Sequence, residues 1–92
     1  MTSRTVTIVN QLGMHARAAA KFVHLAGRFE SRITVSRQGR EMDGKSIMGL
    51  LLLAAARGTV VTISADGPDE QAAIEALCEL VTSGFGEQTC SV

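Results

Sequence analysis

The sequence contains few aromatic residues, so other side chains must fill its core. Its 92 residues include three Phe, no Trp, no Tyr and a single Pro, whereas hydrophobic residues make up 46% of the chain. The interior must therefore be assembled from Ala, Val, Ile and Leu, and at this length it is modest in size. We expect one domain, spanning residues 1–92.

Closely spaced cysteines and long apolar runs are also missing. The two cysteines, Cys78 and Cys90, form no C-x-x-C pattern, so metal or redox chemistry is not expected. The longest apolar run, residues 47–56, is far shorter than the roughly 20 residues of a membrane-spanning helix. The first residues lack the hydrophobic segment of a secretory signal. These absences predict a soluble cytoplasmic protein with no cofactor, no metal and no membrane insertion.

Charge is balanced overall but divided along the chain. Nine Lys and Arg offset nine Asp and Glu. This balance argues against a nucleic-acid partner, because a nucleic-acid binder would be basic overall. All nine basic residues lie within residues 1–57, whereas six acids and no base follow from Asp66 onward. The basic N-terminal portion therefore favours phosphate or an acidic partner.

Hydrophobic periodicity predicts seven elements in the order β-α-β-β-α-β-α. Alternating β-branched residues indicate strands, and apolar stripes at helical spacing indicate helices. The expected strands cover residues 5–9, 32–37, 40–43 and 59–65, and the expected helices cover residues 16–26, 47–56 and 68–83. This order predicts an α+β fold in which a four-stranded, mostly antiparallel sheet carries three helices on one face and leaves the other face open to water.

Residues 39–46, GREMDGKS, match the phosphate-binding P-loop template G-x-x-x-x-G-K-[ST]. A P-loop holds phosphate with exposed backbone N–H groups. Two of the variable positions here, Glu41 and Asp43, are carboxylates that would repel an anion. The same residues alternate as the second arm of a hairpin does, and the chain is too short for the several βαβ units of a nucleotide-binding sheet. We therefore interpret the match as accidental.

Ser46 ends that match and begins the second predicted helix. A serine at this position is expected to act as the N-cap by accepting a hydrogen bond from an early helix N–H. A phosphate on its hydroxyl would lie at the positive end of the helix, where added negative charge is tolerated or stabilising. Ser46 is thus a structural cap and a candidate site of phosphorylation.

His15 lies at the start of the first predicted helix, within NQLGMHARAAA. The positive helix end disfavours an imidazolium ion and favours the neutral, nucleophilic ring. A phosphoryl group on that ring would meet helix N–H donors and the guanidinium of Arg17. The alternative is that His15 is an ordinary capping or surface residue. His24 lies about 13 Å further along and on the opposite side of the helix, so the two histidines cannot share a metal ion.

Together these features resemble the HPr family of histidine-containing phosphocarrier proteins of the bacterial phosphoenolpyruvate-dependent phosphotransferase system. The resemblance covers nearly the whole chain and rests on residues 13–17 (GMHAR), 45–46 (KS) and 58–63 (GTVVTI). It implies an open-faced β-sandwich, in agreement with the predicted order of elements. One departure is Ala18, where the family usually has proline. Alanine restores an N–H donor but loosens the loop.

The resemblance also implies a phosphoryl carrier that is not itself an enzyme. Enzyme I would phosphorylate Nδ1 of His15, Arg17 would contact the phosphate, and an enzyme IIA-type acceptor would receive the group. In many bacteria an HPr kinase/phosphorylase modifies the serine that matches Ser46. The carrier is expected to be a monomer. Partner docking is expected on apolar residues around the two helix starts, namely Ala16, Ala20, Ile47, Met48 and Leu51.

The second helix is apolar on every side, so it cannot bury every face against one sheet. Leu50 and Leu53 are expected in the core, and Met48 with a neighbour is expected to be exposed for a partner.

Other functions remain open. The tail SGFG and the Gly13-Met14 pair resemble the nitrogen-related branch of the system, which would make the role mainly regulatory. A small hydrolase of acyl phosphates has a similar size and a comparable α+β layer. It would need an amide to position water, for which Asn10 is the nearby candidate. A binding or regulatory module without covalent chemistry is the third possibility.

Overall fold

The computed structural model describes residues 1–86, and its elements follow the order β-α-β-β-α-β-α. Their bounds are β1 Thr2–Thr7, α1 Ala16–Ala26, β2 Arg32–Arg37, β3 Arg40–Asp43, α2 Ile47–Leu52, β4 Val60–Asp66 and α3 Glu70–Thr82. A left-handed turn, Gly84–Gly86, in which all three residues have positive φ, follows α3 and is called the Phe85 turn below. Cys90, one of the two cysteines considered above, lies outside the described residues.

The four strands form one sheet in the order β1-β4-β2-β3, and every strand pair in residues 1–86 is antiparallel. Along the central strand β4, Val61, Ile63 and Ala65 are buried, whereas Thr62 and Ser64 between them are only partly covered. Because successive strand residues point to opposite faces, one face packs against helices and the other faces water. The predicted α+β open-faced β-sandwich is confirmed.

The helices cover the inner face of the sheet with apolar stripes. Phe22 of α1 and Ile74 and Leu77 of α3 are fully buried in one cluster with the inward residues of the sheet. Each such side chain stabilises the fold by about 1.5–3 kcal/mol relative to leaving it exposed. Leu50 and Leu53 are also buried, as predicted. No helix within residues 1–86 combines the length and apolar character needed to cross a membrane.

The P-loop-like segment is part of a β-hairpin. Strand β3 pairs with β2 from Thr34 opposite Asp43 to Arg37 opposite Arg40. The connecting Gln38 and Gly39 both have positive φ, 51° and 83°, as a two-residue type I′ turn requires. The variable positions of the template are thus committed to strand pairing, and the hairpin interpretation is confirmed.

Several predicted boundaries were wrong. Helix α2 ends at Leu52 instead of residue 56, because Ala54 adopts a left-handed backbone with φ 52°. The third helix begins at Glu70, so Pro68 lies in the preceding turn and not at a first helical position. Strand β1 begins and ends earlier than predicted, at Thr2–Thr7, because its pairing with β4 sets its length.

Candidate functional site

The loop before α1 is fixed by hydrogen bonds and close packing. The buried side chain of Asn10 donates from Nδ2 to the carbonyl oxygen of Gly13 at 2.7 Å. Gly13 has φ 67°, and a Cβ at this position would lie 2.6 Å from the carbonyl oxygen of Ala55. Met14 N–H donates to that same Ala55 oxygen at 2.8 Å. Glycine is required here both by the left-handed backbone and by the close approach of residues 55–56.

His15 is the N-cap of α1, with φ −77° and ψ 178°. Its Nδ1 accepts a hydrogen bond from the backbone N–H of Arg17 at 3.2 Å, and the ring is half-buried. A nitrogen that accepts a hydrogen bond carries a lone pair, so the proton of the neutral ring is on Nε2. The sequence prediction of a histidine at a helix start is confirmed. The structure also shows that Nδ1 is the ring nitrogen that faces the helix N–H.

Arg17 lies two residues into the helix and is exposed. Its backbone N–H is used by His15, and its guanidinium makes no hydrogen bond or ion pair with another described residue. Five N–H donors on an exposed side chain beside His15 suit bidentate contact with a phosphoryl group.

Ser46 is the N-cap of α2, as predicted. Its Oγ accepts a hydrogen bond from Gly49 N–H at 3.1 Å, and its own N–H donates to the carbonyl oxygen of Asp43 at 3.1 Å. The hydroxyl is half-buried. Helix α2 packs against α1, so the two helix starts belong to one layer of the molecule.

Most of the apolar residues predicted for docking are on the surface. Ala16 and Ala20 are exposed on α1, and Ile47 and Met48 are exposed on α2, the latter by 66%. Leu51 is half-buried against the core, so it offers less surface than predicted.

Two exposed leucines were not predicted from the sequence. Leu12 is 70% exposed in the loop before His15, and Leu52 is 54% exposed on α2. Leu52 could have been found from its i, i+4 spacing with Met48, which places the two on one helix face. Leu12 carried no such signal, because loop residues have no periodicity.

The remaining chemistry considered for this chain has little support in the described residues. No group of three His, Cys, Asp or Glu in residues 1–86 could hold a metal ion, and His24 is exposed on α1. Asn10 is fully buried and holds the loop, so its amide is not placed to position a water molecule. The hydrolase alternative therefore loses the residue it needed.

Comparisons with known proteins find a family model and relatives that match most of the chain. The family model described as "PTS HPr component phosphorylation site" matches residues 2–83. The phosphocarrier protein HPr of Cupriavidus necator is 54% identical over 87 residues, which cover 95% of this chain and 98% of that protein. The phosphocarrier protein NPr of Shewanella violacea is 42% identical over 84 residues, covering 91% of this chain and 92% of that protein.

Solved structures of HPr share the fold. HPr-C-His from Thermoanaerobacter tengcongensis superposes with a TM-score of 0.92 at 45% identity, covering 96% of this chain and 99% of that one. An HPr dimer from the same organism gives a TM-score of 0.76 at 46% identity, covering 95% and 100%. The fold, the histidine at the start of α1 and these similarities lead to one conclusion. The chain belongs to the HPr family, the phosphocarrier proteins of the phosphotransferase system.

Proposed function

We propose that Nδ1 of His15 accepts a phosphoryl group from enzyme I and passes it to an enzyme IIA-type acceptor. The observation that carries this proposal is the hydrogen bond from Arg17 N–H to Nδ1, because it keeps the lone pair of that nitrogen unprotonated. In the transfer, this lone pair forms a bond to phosphorus while the bond between phosphorus and the donor breaks. The proton on Nε2 stays in place. The chain turns over only with its partner enzymes and is not itself an enzyme.

Arg17 supplies the phosphate contact in this proposal. When Nδ1 becomes bonded to phosphorus, the Arg17 backbone N–H loses its acceptor and can donate to a phosphoryl oxygen instead. The exposed guanidinium can add two more donors. Two kinds of donor from one residue therefore stabilise the phosphorylated state.

Intact mass spectrometry tests the acceptor. The protein is incubated with phosphoenolpyruvate and purified enzyme I, and its mass is measured after exposure to low and to high pH. We expect one added phosphate that is lost in acid and kept in base, absent from His15→Ala and retained in the matched control His24→Ala. A phosphate that persists in His15→Ala would refute the assignment, and hydrolysis of an acyl phosphate by the protein alone would favour the hydrolase alternative.

We also propose that Ser46 is a regulatory phosphorylation site, for an HPr kinase/phosphorylase where the organism has one. A phosphate there would place negative charge at the start of α2, beside the surface that receives enzyme I. Ser46→Asp should therefore accept phosphate more slowly than the wild type at low salt, and the difference should shrink as salt screens the charge. Ser3→Asp on the open sheet face is the matched control. Equal rates for Ser46→Asp and Ser3→Asp at low salt would remove this role.

The docking surface that we propose consists of Ala16, Ala20, Ile47 and Met48, with Leu51 at its edge. These residues surround the two helix starts, and their apolar side chains are mostly exposed. We propose that the carrier acts as a cytoplasmic monomer. Light scattering across a range of concentrations tests this, and the similar HPr dimer makes the measurement necessary.

A nitrogen-branch carrier with a mainly regulatory role is the second candidate, favoured by the similarity to an NPr. The two roles differ in the acceptor. Phosphorylated protein is mixed with purified IIA proteins of the sugar and nitrogen branches. We expect it to transfer its phosphoryl group faster to its own partner. Faster transfer to the nitrogen-branch protein would select this candidate.

A further inference from the structure

The Phe85 turn lies against α1 and the loop that carries His15. The ammonium of Lys21, on α1, donates to the carbonyl oxygen of Phe85 at 2.8 Å. Phe85 is fully buried although its backbone is left-handed, with φ 59°. A bulky residue adopts this conformation only where the surrounding contacts hold it. The Lys21 bond and the burial of the ring are two such contacts.

The same turn borders Asn10. Gly84 carries no side chain, but a Cβ built on it would lie 3.7 Å from Cβ of Asn10, so the backbone of the turn runs beside this residue. Asn10 in turn donates to the carbonyl oxygen of Gly13 at 2.7 Å, and that oxygen also accepts from His15 N–H at 2.9 Å. The Phe85 turn therefore lies between Lys21, which holds it by a hydrogen bond, and Asn10, which holds the Gly13 carbonyl beside His15.

We infer that Lys21 and the Phe85 turn are positioning elements for His15. By lying beside Asn10, the turn limits the movement of that side chain and so keeps the Gly13 carbonyl in the place where it fixes the His15 N–H and the entry of the chain into α1. This inference rests on the proposed function of His15, since a positioning role has meaning only if that ring takes phosphate. The inference concerns geometry, so it predicts effects in the unphosphorylated protein as well.

Lys21 has a competing interpretation as a charge that attracts enzyme I. It lies four residues after Arg17 and therefore on the same helix face, one turn further along. A test must for this reason include a variant that disturbs the turn without changing charge. Gly84→Ala does so, because alanine is strained at φ 73° while the space around its Cβ stays ordinary. Gly39→Ala is the matched control, since it introduces a similar strain at φ 83° in the β2–β3 turn, with no atom within 4 Å.

The first measurement is amide hydrogen exchange of Met14 and His15 in unphosphorylated protein. In Gly84→Ala and in Lys21→Met we expect exchange to be about two- to tenfold faster than in the wild type, the range that the loss of one net hydrogen bond produces. Gly39→Ala should leave both amides unchanged. If Gly84→Ala does not fold, Lys21→Met alone decides the question. The inference would be overturned if the amides of Met14 and His15 exchanged no faster in Lys21→Met than in Gly39→Ala.

The second measurement separates positioning from docking. Phosphorylation by enzyme I and phosphoenolpyruvate is followed over a range of carrier concentrations. Positioning predicts a two- to tenfold lower maximal rate in both variants with little change in half-saturation. A pure charge effect predicts weaker half-saturation in Lys21→Met alone, and that outcome would overturn the inference. If the wild type took no phosphate, the proposed function would fail, while the exchange data would still decide whether the turn holds the loop.

Discussion

At the scale of single residues, backbone geometry decides what His15 can do. The residue is an N-cap, so its side chain faces the N–H groups of the first helical turn instead of pointing along the helix. The bond from Arg17 N–H then selects Nδ1 as the nitrogen with the available lone pair. A histidine in the middle of a helix would have neither feature.

The guanidinium fork of Arg17 should matter more than its charge. Arg17→Lys keeps the positive charge but replaces a planar pair of donors with a single ammonium. Because a hydrogen bond to a charged group contributes about 1.5–3 kcal/mol, we expect the rate of phosphorylation by enzyme I to fall about tenfold or more. Arg28→Lys, just past the C-terminal end of α1, is the control and should keep the wild-type rate. An unchanged rate in Arg17→Lys would show that charge alone suffices.

Ala54 carries backbone strain next to the site. Its φ of 52° is unfavourable for a residue with a Cβ, and it immediately precedes Ala55, whose carbonyl holds Met14. Ala54→Gly should raise the free energy of unfolding by about 0.5–1 kcal/mol, measured by urea titration. Ala56→Gly, whose backbone is not left-handed, should lower it, because glycine gains entropy in the unfolded chain. A lower free energy of unfolding in Ala54→Gly would show that the backbone of Ala54 is not strained.

At the scale of elements, α2 is short and depends on its cap. Six residues make less than two full turns, so the helix has few internal hydrogen bonds and gains proportionally more from Ser46 Oγ. Its C-terminal side is held from β2, where Nη1 of Arg37 donates to the carbonyl oxygen of Leu53 at 2.7 Å. One end of the helix is thus held by its own N-cap and the other by a strand residue 16 positions away.

The cap can be separated from regulation by comparing two variants. Ser46→Ala removes the acceptor for Gly49 N–H and should lower the free energy of unfolding by about 1 kcal/mol. Ser46→Asp should not, because aspartate is as good an N-cap as serine and its charge suits the helix dipole. Urea titration at neutral pH measures both. Equal destabilisation by the two variants would mean that the cap contributes little.

At the scale of the whole molecule, two carboxylates hold distant segments together. Asp69 is at the N-cap position of α3, yet its side chain makes no bond to its own helix. It accepts instead from the Ser31 hydroxyl and from the N–H groups of Glu30 and Ser31, which are 39 and 38 residues away. Glu70 accepts from the Thr2 hydroxyl at 2.6 Å, which ties α3 to the first strand.

These bonds predict a loss of stability in acid. The Ser31 hydroxyl and backbone N–H groups lower the pKa of Asp69 below its ordinary 3.8, and the Thr2 hydroxyl with Gly67 N–H lowers the pKa of Glu70 below 4.5. A group whose pKa is lower in the folded state contributes stability that is complete above its ordinary pKa and is lost as the pH falls through the folded value. The free energy of unfolding should therefore decline as the pH drops below about 4.5.

Variants separate this effect from general acid denaturation. Asp69→Asn should lower stability at neutral pH and make it less dependent on pH between 5 and 3, and Ser31→Ala should do the same to a smaller extent. Urea titrations at several pH values give, for each variant, the slope of the free energy of unfolding against pH. A slope in Asp69→Asn equal to that of the wild type would exclude Asp69 as the source.

Local signals account for what the sequence predicted well. The bounds of α1, β2 and β3 follow from the periods 3.6 and 2, from Gly27 and from the Gln38-Gly39 turn, all of which act between near neighbours. The caps His15 and Ser46 were predicted for the same reason. The end of α2 was missed because its apolar run continues past Leu52, so nothing local indicates where the chain turns.

The sequence by itself determined the order of elements, the open-faced sheet and the two capped helix starts, because each depends on side chains within a few positions of one another. Only the tertiary structure decided how the His15 loop is held against Ala55 and what Asp69 and Lys21 bind. These features depend on partners far away in the chain, such as Lys21 and Phe85, which are 64 residues apart. No local pattern encodes such pairs, since they form only when the core brings α1, α3 and the Phe85 turn together.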